Sequence, residues 1–196
     1  MRDRGDGAGW QLSTVTRRRI MVIGPTGSGK TTLSRGISET IGVPAIELDA
    51  LFHQPGWQPT PPDEFRAKVF AALEGCPEGW VTDGNYSIVR VSILPLADTV
   101  VWLRLPWRVS YWRMFKRTIR RGWSREELWN GNRESWRLSF LSRDSLLLWG
   151  LTHWRAHHRN ARHDLAATPH TAELIELRSD REVEGFLAGL RDDTPT

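Results

Sequence analysis

The sequence predicts an α/β fold built on a parallel β-sheet, and three observations carry that expectation. A G-x-x-x-x-G-K-[ST] pattern is satisfied by Gly24, Gly29, Lys30 and Thr31. An apolar run, Ile20 to Ile23, precedes it and a helix-compatible segment, Lys30 to Ile41, follows it, which is the strand–loop–helix context that this pattern requires. Further short strand-like runs then alternate with helical ones to the end of the chain, as in a sheet whose strands are joined by crossover helices.

The first strand, Ile20 to Ile23, is uniformly apolar and reads as a central, buried one. The loop after it, Gly24, Pro25, Thr26, Gly27, Ser28, Gly29, Lys30, Thr31 and Thr32, has the residue types of a phosphate cradle. Gly24, Gly27 and Gly29 allow successive N–H groups to turn inward around an anion, and the following helix adds its positive end. Lys30 reaches the β- and γ-phosphates as a point charge, while the Thr31 hydroxyl completes the shell of a Mg²⁺ ion. The expected ligand is ATP or GTP with magnesium. No Asn-Lys-x-Asp guanine-reading motif occurs, which favours ATP.

Gly42 closes the first helix as a C-cap, and Val43 to Leu48 reads as the second strand, ending at Asp49. In parallel α/β sheets ligands gather beyond the carboxyl ends of strands, so Asp49 is a candidate to hold a substrate hydroxyl or a metal-bound water, with His53 assisting; each also suits a plain turn or surface position. Gln54 to Pro62 is a loop by its prolines, with Trp57 expected to pack on the acceptor side. Asp63 is the expected N-cap of an amphipathic helix, Glu64 to Leu73, whose Phe65, Val69, Ala72 and Leu73 share a face.

Trp80 to Thr82 forms a third strand ending at Asp83, where a carboxylate beside the phosphate loop suits a magnesium-holding role. Asp98 begins the fourth strand, Asp98 to Leu105, and so lies at the opposite end of the sheet. Arg90 is a candidate for an anionic group on the acceptor, or a solvated helix residue. From Trp107 to Arg121 helical spacing gathers Arg113, Arg117, Arg120 and Arg121 on one face, with Val109, Trp112 and Phe115 or Ile119 elsewhere. Gly122 is expected to end that helix, and Trp123 to Arg133 to form a mobile lid carrying Arg125 and Arg133. Trp136 to Ala167 is helical in pattern and rich in Trp and Leu. His153, His157 and His158 include an i, i+4 pair, but the neighbours that a zinc site needs are missing. Glu173 to Arg178 is the fifth strand, and Asp180 to Leu190 a closing helix capped by Ser179. The joining loop, which includes Arg178, offers a place for an adenine ring.

The expected organisation is a disordered tail over 1–16, one domain over 17–191 with a lid near 122–135, and a short tail over 192–196. The single cysteine, Cys76, excludes a disulfide framework and a four-ligand zinc site and fits a reducing cytoplasm. No apolar run approaches the roughly 18 residues of a membrane span, so no membrane partner is expected. The net charge is +4, and between Arg104 and Arg162 fourteen Arg or Lys face only four Asp or Glu. That segment is expected to meet phosphate, on a nucleotide or on nucleic acid.

Taken together, IGPTGSGKTTL, LDALFHQPGW, DGNY, RLPWR, RTIRRG and LRSDREVEGFL resemble the adenylate-kinase-like branch of P-loop kinases. Within it, the resemblance is to the small bacterial DNA topology modulation (FlaR-like) proteins, over about Arg19 to Leu187. It implies a three-layer P-loop NTPase fold with a five-stranded parallel sheet ordered 2-3-1-4-5, an ATP core, a helical lid insertion and an acceptor region. Adenylate kinases carry Asp-Gly-Phe-Pro-Arg after the third strand; here Asp83 and Gly84 match while Asn85 and Tyr86 replace the next two. The LDALFH stretch looks more like shikimate- and gluconate-type kinases, whose Asp after the second strand contacts a hydroxylated acceptor, a role that falls on Asp49. The lid arginines of such kinases stabilise the transferring phosphoryl group, which implies that role for Arg117 and Arg121, then Arg125 or Arg133.

The expected activity is a magnesium-dependent transfer of the ATP γ-phosphoryl group to a nucleotide or a small hydroxylated metabolite. The alternative is an ATP-binding or ATP-hydrolysing regulator acting on nucleic acid.

Overall fold

The computed structural model describes residues 17–124, 127–132 and 146–193. The expected tail at 1–16, residues 194–196 of the tail expected over 192–196, and part of the expected lid, including Arg125 and Arg133, lie outside the described residues, while Asp192 and Asp193 belong to the last helix. Five parallel strands, β1 (Arg19–Ile23), β2 (Ala45–Glu47), β3 (Trp80–Asp83), β4 (Thr99–Leu103) and β5 (Glu173–Leu177), form one sheet in the order β2-β3-β1-β4-β5. Among the described residues seven α-helices join or follow them: α1 (Lys30–Ile41), α2 (Leu48–Phe52), α3 (Pro62–Glu74), α4 (Ser87–Ile93), α5 (Trp107–Ser124), α6 (Leu146–Ala167) and α7 (Asp180–Asp193).

Strand alternation sorts the core into two layers. Ile20 and Val22 of β1 face Leu33 and Ile37 of α1 and Phe186 and Leu190 of α7. Met21 and Ile23 point the other way, into a layer with Phe65 and Val69 of α3, Val89 of α4, and Ala161 and Leu165 of α6. Covered on both faces, β1 and β4 are apolar almost throughout, as buried parallel strands must be. The N-terminal end of β1 is held by Asp98, whose Oδ2 accepts the N–H groups of Arg18 and Arg19 at 2.8 and 2.7 Å. This agrees with the expected place of Asp98, away from the phosphate loop.

Several boundaries differ from the sequence expectation, each for a local reason. The second strand is only Ala45–Glu47, because Leu48–Phe52 forms a helical turn in which the His53 N–H bonds to the Asp49 carbonyl. Asp49 therefore occupies the first turn of α2 and not a strand end. Helix α3 begins at Pro62 behind Pro61, since proline is pre-set for a first helical turn; Asp63 is inside that turn and is not the N-cap. Helix α5 continues past Gly122 to Ser124. The caps expected at Gly42 and Ser179 are present: Gly42, at φ 68°, donates to the Ser38 carbonyl, and the Glu182 N–H donates to Ser179 Oγ at 3.2 Å.

Candidate active site

The loop between β1 and α1 is shaped by close approach. A Cβ on Gly27, whose φ is +79°, would lie 2.2 Å from the Ser110 carbonyl of α5 and 2.9 Å from Met114 Cβ. Gly29 precedes α1 at φ 94°, so the free N–H groups of the first turn open onto the loop. Lys30 Nζ donates to the Pro25 carbonyl at 3.1 Å, reaching back across the concave side. Burial pulls the Lys30 ammonium below the usual lysine value, and Asp49 and Asp83 oppose that shift.

Asp83 ends β3 directly beside this loop, 5% exposed. Burial raises its carboxyl above the usual carboxylate range, against the hydrogen bond from Thr31 and the charge of Lys30. Its Oδ2 is buried without a hydrogen-bond partner among the described residues. An acceptor oxygen held in that state, next to a threonine hydroxyl at a helix N-terminus, is a donor set that suits a hard divalent cation. Thr31 and Asp83 are thus the residues that fit magnesium, and no group of three or more His, Cys, Asp or Glu among the described residues offers another metal site.

Asn85, two residues on, donates Nδ2 to the Gly24 carbonyl at 2.8 Å and lies 3.1 Å from His157 Nδ1. It fastens the phosphate loop to α6. Tyr86 donates its phenol hydrogen to Asp49 Oδ1 at 2.5 Å, and burial followed by the Asp49 charge drives the Tyr86 hydroxyl far above its ordinary pKa. A cavity of about 1660 Å³ runs from the loop to Asp49, His53 and Trp57 on one side, and to Arg113, Arg117 and Asp180 on the other.

The sequence-derived candidates divide accordingly. Lys30, Thr31, Thr32, Asp49, His53, Asp83 and Arg117 line this cavity together with Thr26 through Gly29. Gly24 and Pro25 form the loop behind it. Arg113 and Arg120 join Arg117 along α5, beside the stripe of the helix that buries Ser110, Met114 and Thr118. Arg121 belongs to α5 by its backbone, but its side chain lies outside the described residues. Arg178 does not line the cavity; its guanidinium pairs with Glu176 at 2.7 Å, and the first two turns of α7 contribute Asp180, Val183 and Leu187 instead. Arg90 is also elsewhere. It is 4% exposed, paired with Asp164 of α6 at 2.8 Å and bonded to the Asn85 carbonyl, so its work is to pack α4 against α6. Burial lowers its pKa and Asp164 opposes the shift.

Sequence reasoning passed over a further group. Glu47 accepts the Trp129 indole N–H at 2.9 Å on Oε2 and Arg35 on Oε1. Buried Asn132 accepts the Trp57 N–H at 2.9 Å and donates to the Gln54 carbonyl at 2.9 Å, while Asn130 donates to the His53 carbonyl at 2.6 Å. The segment 127–132 thereby lies across the loop that carries His53, Gln54 and Trp57. An Asn-Gly pair in the left-handed region, Asn130 at φ 56° and Gly131 at φ 77°, is the local turn signal available in the sequence.

The sequence matches no protein-family model and no curated protein. Among solved structures, the chain is similar to shikimate kinase from Bacteroides thetaiotaomicron, with 17% identity, TM-score 0.54, and 90% of this chain and 98% of that one covered. It is similar also to shikimate kinase from Acinetobacter baumannii in complex with shikimate, with 16% identity, TM-score 0.52, and 89% and 91% covered. At these identities the likeness is one of architecture, and it agrees with the strand order and the placement of the loop: the chain has the three-layer α/β fold of P-loop kinases.

Proposed function

We propose that this protein is a magnesium-dependent kinase that transfers the γ-phosphoryl group of ATP to a hydroxyl of a small acceptor. The observation that carries the reading is one continuous cavity joining Lys30 and the Thr31–Asp83 pair to Asp49, with Arg117 on its wall. Phosphoryl transfer asks a protein mainly for positioning and fixed positive charge, which this arrangement supplies.

In this reading the N–H groups of Thr26 to Thr31 and the Lys30 ammonium hold the donor phosphates. Thr31 and Asp83 hold magnesium, which when bound neutralises charge on the β- and γ-oxygens. Asp49 orients the acceptor hydroxyl and takes its proton as the oxygen bonds to the γ-phosphorus and the bond to the β–γ bridging oxygen breaks, releasing ADP. Tyr86 fixes the Asp49 carboxylate, and His53 lies one helical turn away. Arg117 supplies positive charge to the equatorial oxygens. No helix among the described residues is long and apolar enough to cross a membrane, and the lone thiol suits a cytoplasmic setting.

The test is ADP production from Mg-ATP with a panel of nucleoside monophosphates, nucleosides and hydroxylated metabolites, with Lys30→Ala as control. One phosphorylated acceptor formed per ADP supports the reading. Acceptor-independent hydrolysis across the panel sinks it.

A second reading, an ATP-dependent protein acting on nucleic acid as the FlaR-like resemblance implies, draws on one strip of α5. There Trp107 and Trp112 are exposed, Trp112 stacks on Phe115, and Lys116 lies 5.2 Å from the Trp112 ring. Single-stranded DNA binding whose affinity changes with ATP would favour it; ATP-independent, salt-sensitive binding is only the attraction of a basic surface for a polyanion.

A further inference from the structure

Charge is mixed along the cavity. Towards β5 the wall carries Arg113 and Lys116 of α5 together with Asp180 and Glu184 of α7, Arg113 being paired with Asp180, and Lys30 stands at the centre. Towards β2, the opposite edge of the sheet, stand the carboxylates of Glu47 and Asp49. Arg35 also lines that end, with its Nε and Nη2 both on Glu47 Oε1 at 3.1 and 2.5 Å and Trp129 on Oε2, so Glu47 is paired and Asp49 is the carboxylate that faces a ligand there. Arg90, the residue the sequence offered for an acceptor anion, is buried against Asp164 and does not line the cavity.

Rings complete this end. His53 is stacked with Trp129 at 6.0 Å and meets Trp57 edge-on at 5.2 Å, while Phe52 and Tyr86 are 4.6 Å apart beside Asp49. His53 Nδ1 is buried with no hydrogen-bond partner among the described residues. Burial holds the imidazole below its ordinary pKa, so at neutral pH it brings no positive charge to an anion.

We propose that the acceptor is a ring bearing several hydroxyls and either no charge or an amine, such as a sugar, an amino sugar, a cyclitol or a nucleoside, and that this end selects against acceptors carrying a carboxylate or phosphate. The inference rests on the kinase reading of the same cavity. Ionised carboxylates only accept hydrogen bonds, so hydroxyl and ammonium groups satisfy them while an anion meets repulsion in a half-dry cleft of reduced dielectric. The C–H faces of such a ring lie against aromatic side chains, which offer large rigid apolar area with polar tips.

The test is calorimetric titration of the full chain, loaded with magnesium and a non-hydrolysable ATP analogue. The ligands are myo-inositol, glucosamine and adenosine against shikimate, gluconate and AMP, with ADP release measured in parallel using ATP. The expected result is that the best uncharged or amine-bearing ring binds at least about tenfold tighter than the best anion. Trp129→Ala is expected to weaken the ring about tenfold, with melting curves and analogue binding as checks of folding. Tighter binding of any of the anions, or no measurable binding of any ring, overturns the inference. Ring binding without ADP release would leave it standing and overturn the kinase reading. An anion phosphorylated one for one with ADP would do the reverse.

Discussion

Asn85 and Gly24 are joined across the top of the sheet by a 2.8 Å hydrogen bond from the Asn85 amide to the Gly24 carbonyl, and the same amide nitrogen lies 3.1 Å from His157. The turn after β3 therefore steadies the loop after β1. Asn85→Ala is expected to weaken binding of an ATP analogue by about 3- to 10-fold and to cost about 1 kcal/mol of stability, the usual worth of one intramolecular hydrogen bond. Titration and melting measure the two effects; undiminished analogue affinity would remove Asn85 from any role in shaping the loop.

Lys30→Ala removes the one lysine that reaches across the loop to the Pro25 carbonyl. Turnover is expected to fall by roughly 10²–10³-fold, the effect of removing one fixed donor to developing charge. Because Lys30 is also pulled below the usual lysine pKa by burial, the variant loses a desolvation cost and should melt no lower than wild type. A folded variant with near-normal turnover would sink the role given to Lys30.

Asp83 separates stability from activity. Burial raises its folded-state pKa, so the favourable protonated state is present below the unfolded carboxylate value and is lost as pH rises through the folded value. Metal-free protein should thus lose stability as pH climbs through the carboxylate range and just above it. Asp83→Asn should melt roughly 2–4 °C higher than wild type at neutral pH for each kcal/mol relieved. The same change should raise the magnesium concentration needed for half-maximal activity at least about tenfold. An unchanged magnesium requirement would assign the metal to other groups.

Arg90 and Asp164 form a pair that is 4% and 13% exposed at its side chains. Removing one member leaves a buried charge, so Arg90→Ala is expected to cost about 3 kcal/mol, with Arg90→Met in an Asp164→Leu background recovering much of it. If Arg90 instead binds an acceptor anion, the single variant would raise KM for that acceptor selectively while melting normally.

Gly27→Ala places a methyl group 2.2 Å from the Ser110 carbonyl at a positive φ, an overlap that a backbone must move to relieve. The expected outcome is loss of analogue binding by more than about tenfold and a melting point several degrees lower, read in the same titration and melt. Wild-type behaviour would mean that loop and helix α5 do not touch in solution.

How much of this was legible before the structure follows from how local each feature is. The phosphate loop, the Gly42 and Ser179 caps and the β1 and β4 strands rest on residues within a few positions of one another, and the structure agrees with all of them. LDALF was misread because a short apolar run carries no period long enough to separate a strand end from a helical turn. Arg90 was offered to a ligand because its true partner, Asp164, is 74 residues away in sequence. Glu47, Trp129 and Asn132 were passed over for the same reason: the Glu47–Trp129 bond spans 82 positions, and no spacing rule relates them. The arginine-rich helix was legible as a charged face, but its buried stripe joins Met114 to Ser110 and Thr118, two small hydroxyl residues that hydropathy does not mark as buried.

The contact between Gly27 and the Ser110 carbonyl makes helix α5 a lever whose fulcrum is the phosphate loop itself. Arg117 and Arg120 lie seven and ten residues beyond that fulcrum, about 10 and 15 Å along the axis. A tilt of only about 10° there carries the Arg120 backbone roughly 2–3 Å while leaving Gly27 almost still. Such a tilt would move Arg120 through a wider arc than Arg117 and would leave the loop at the base of the helix in place.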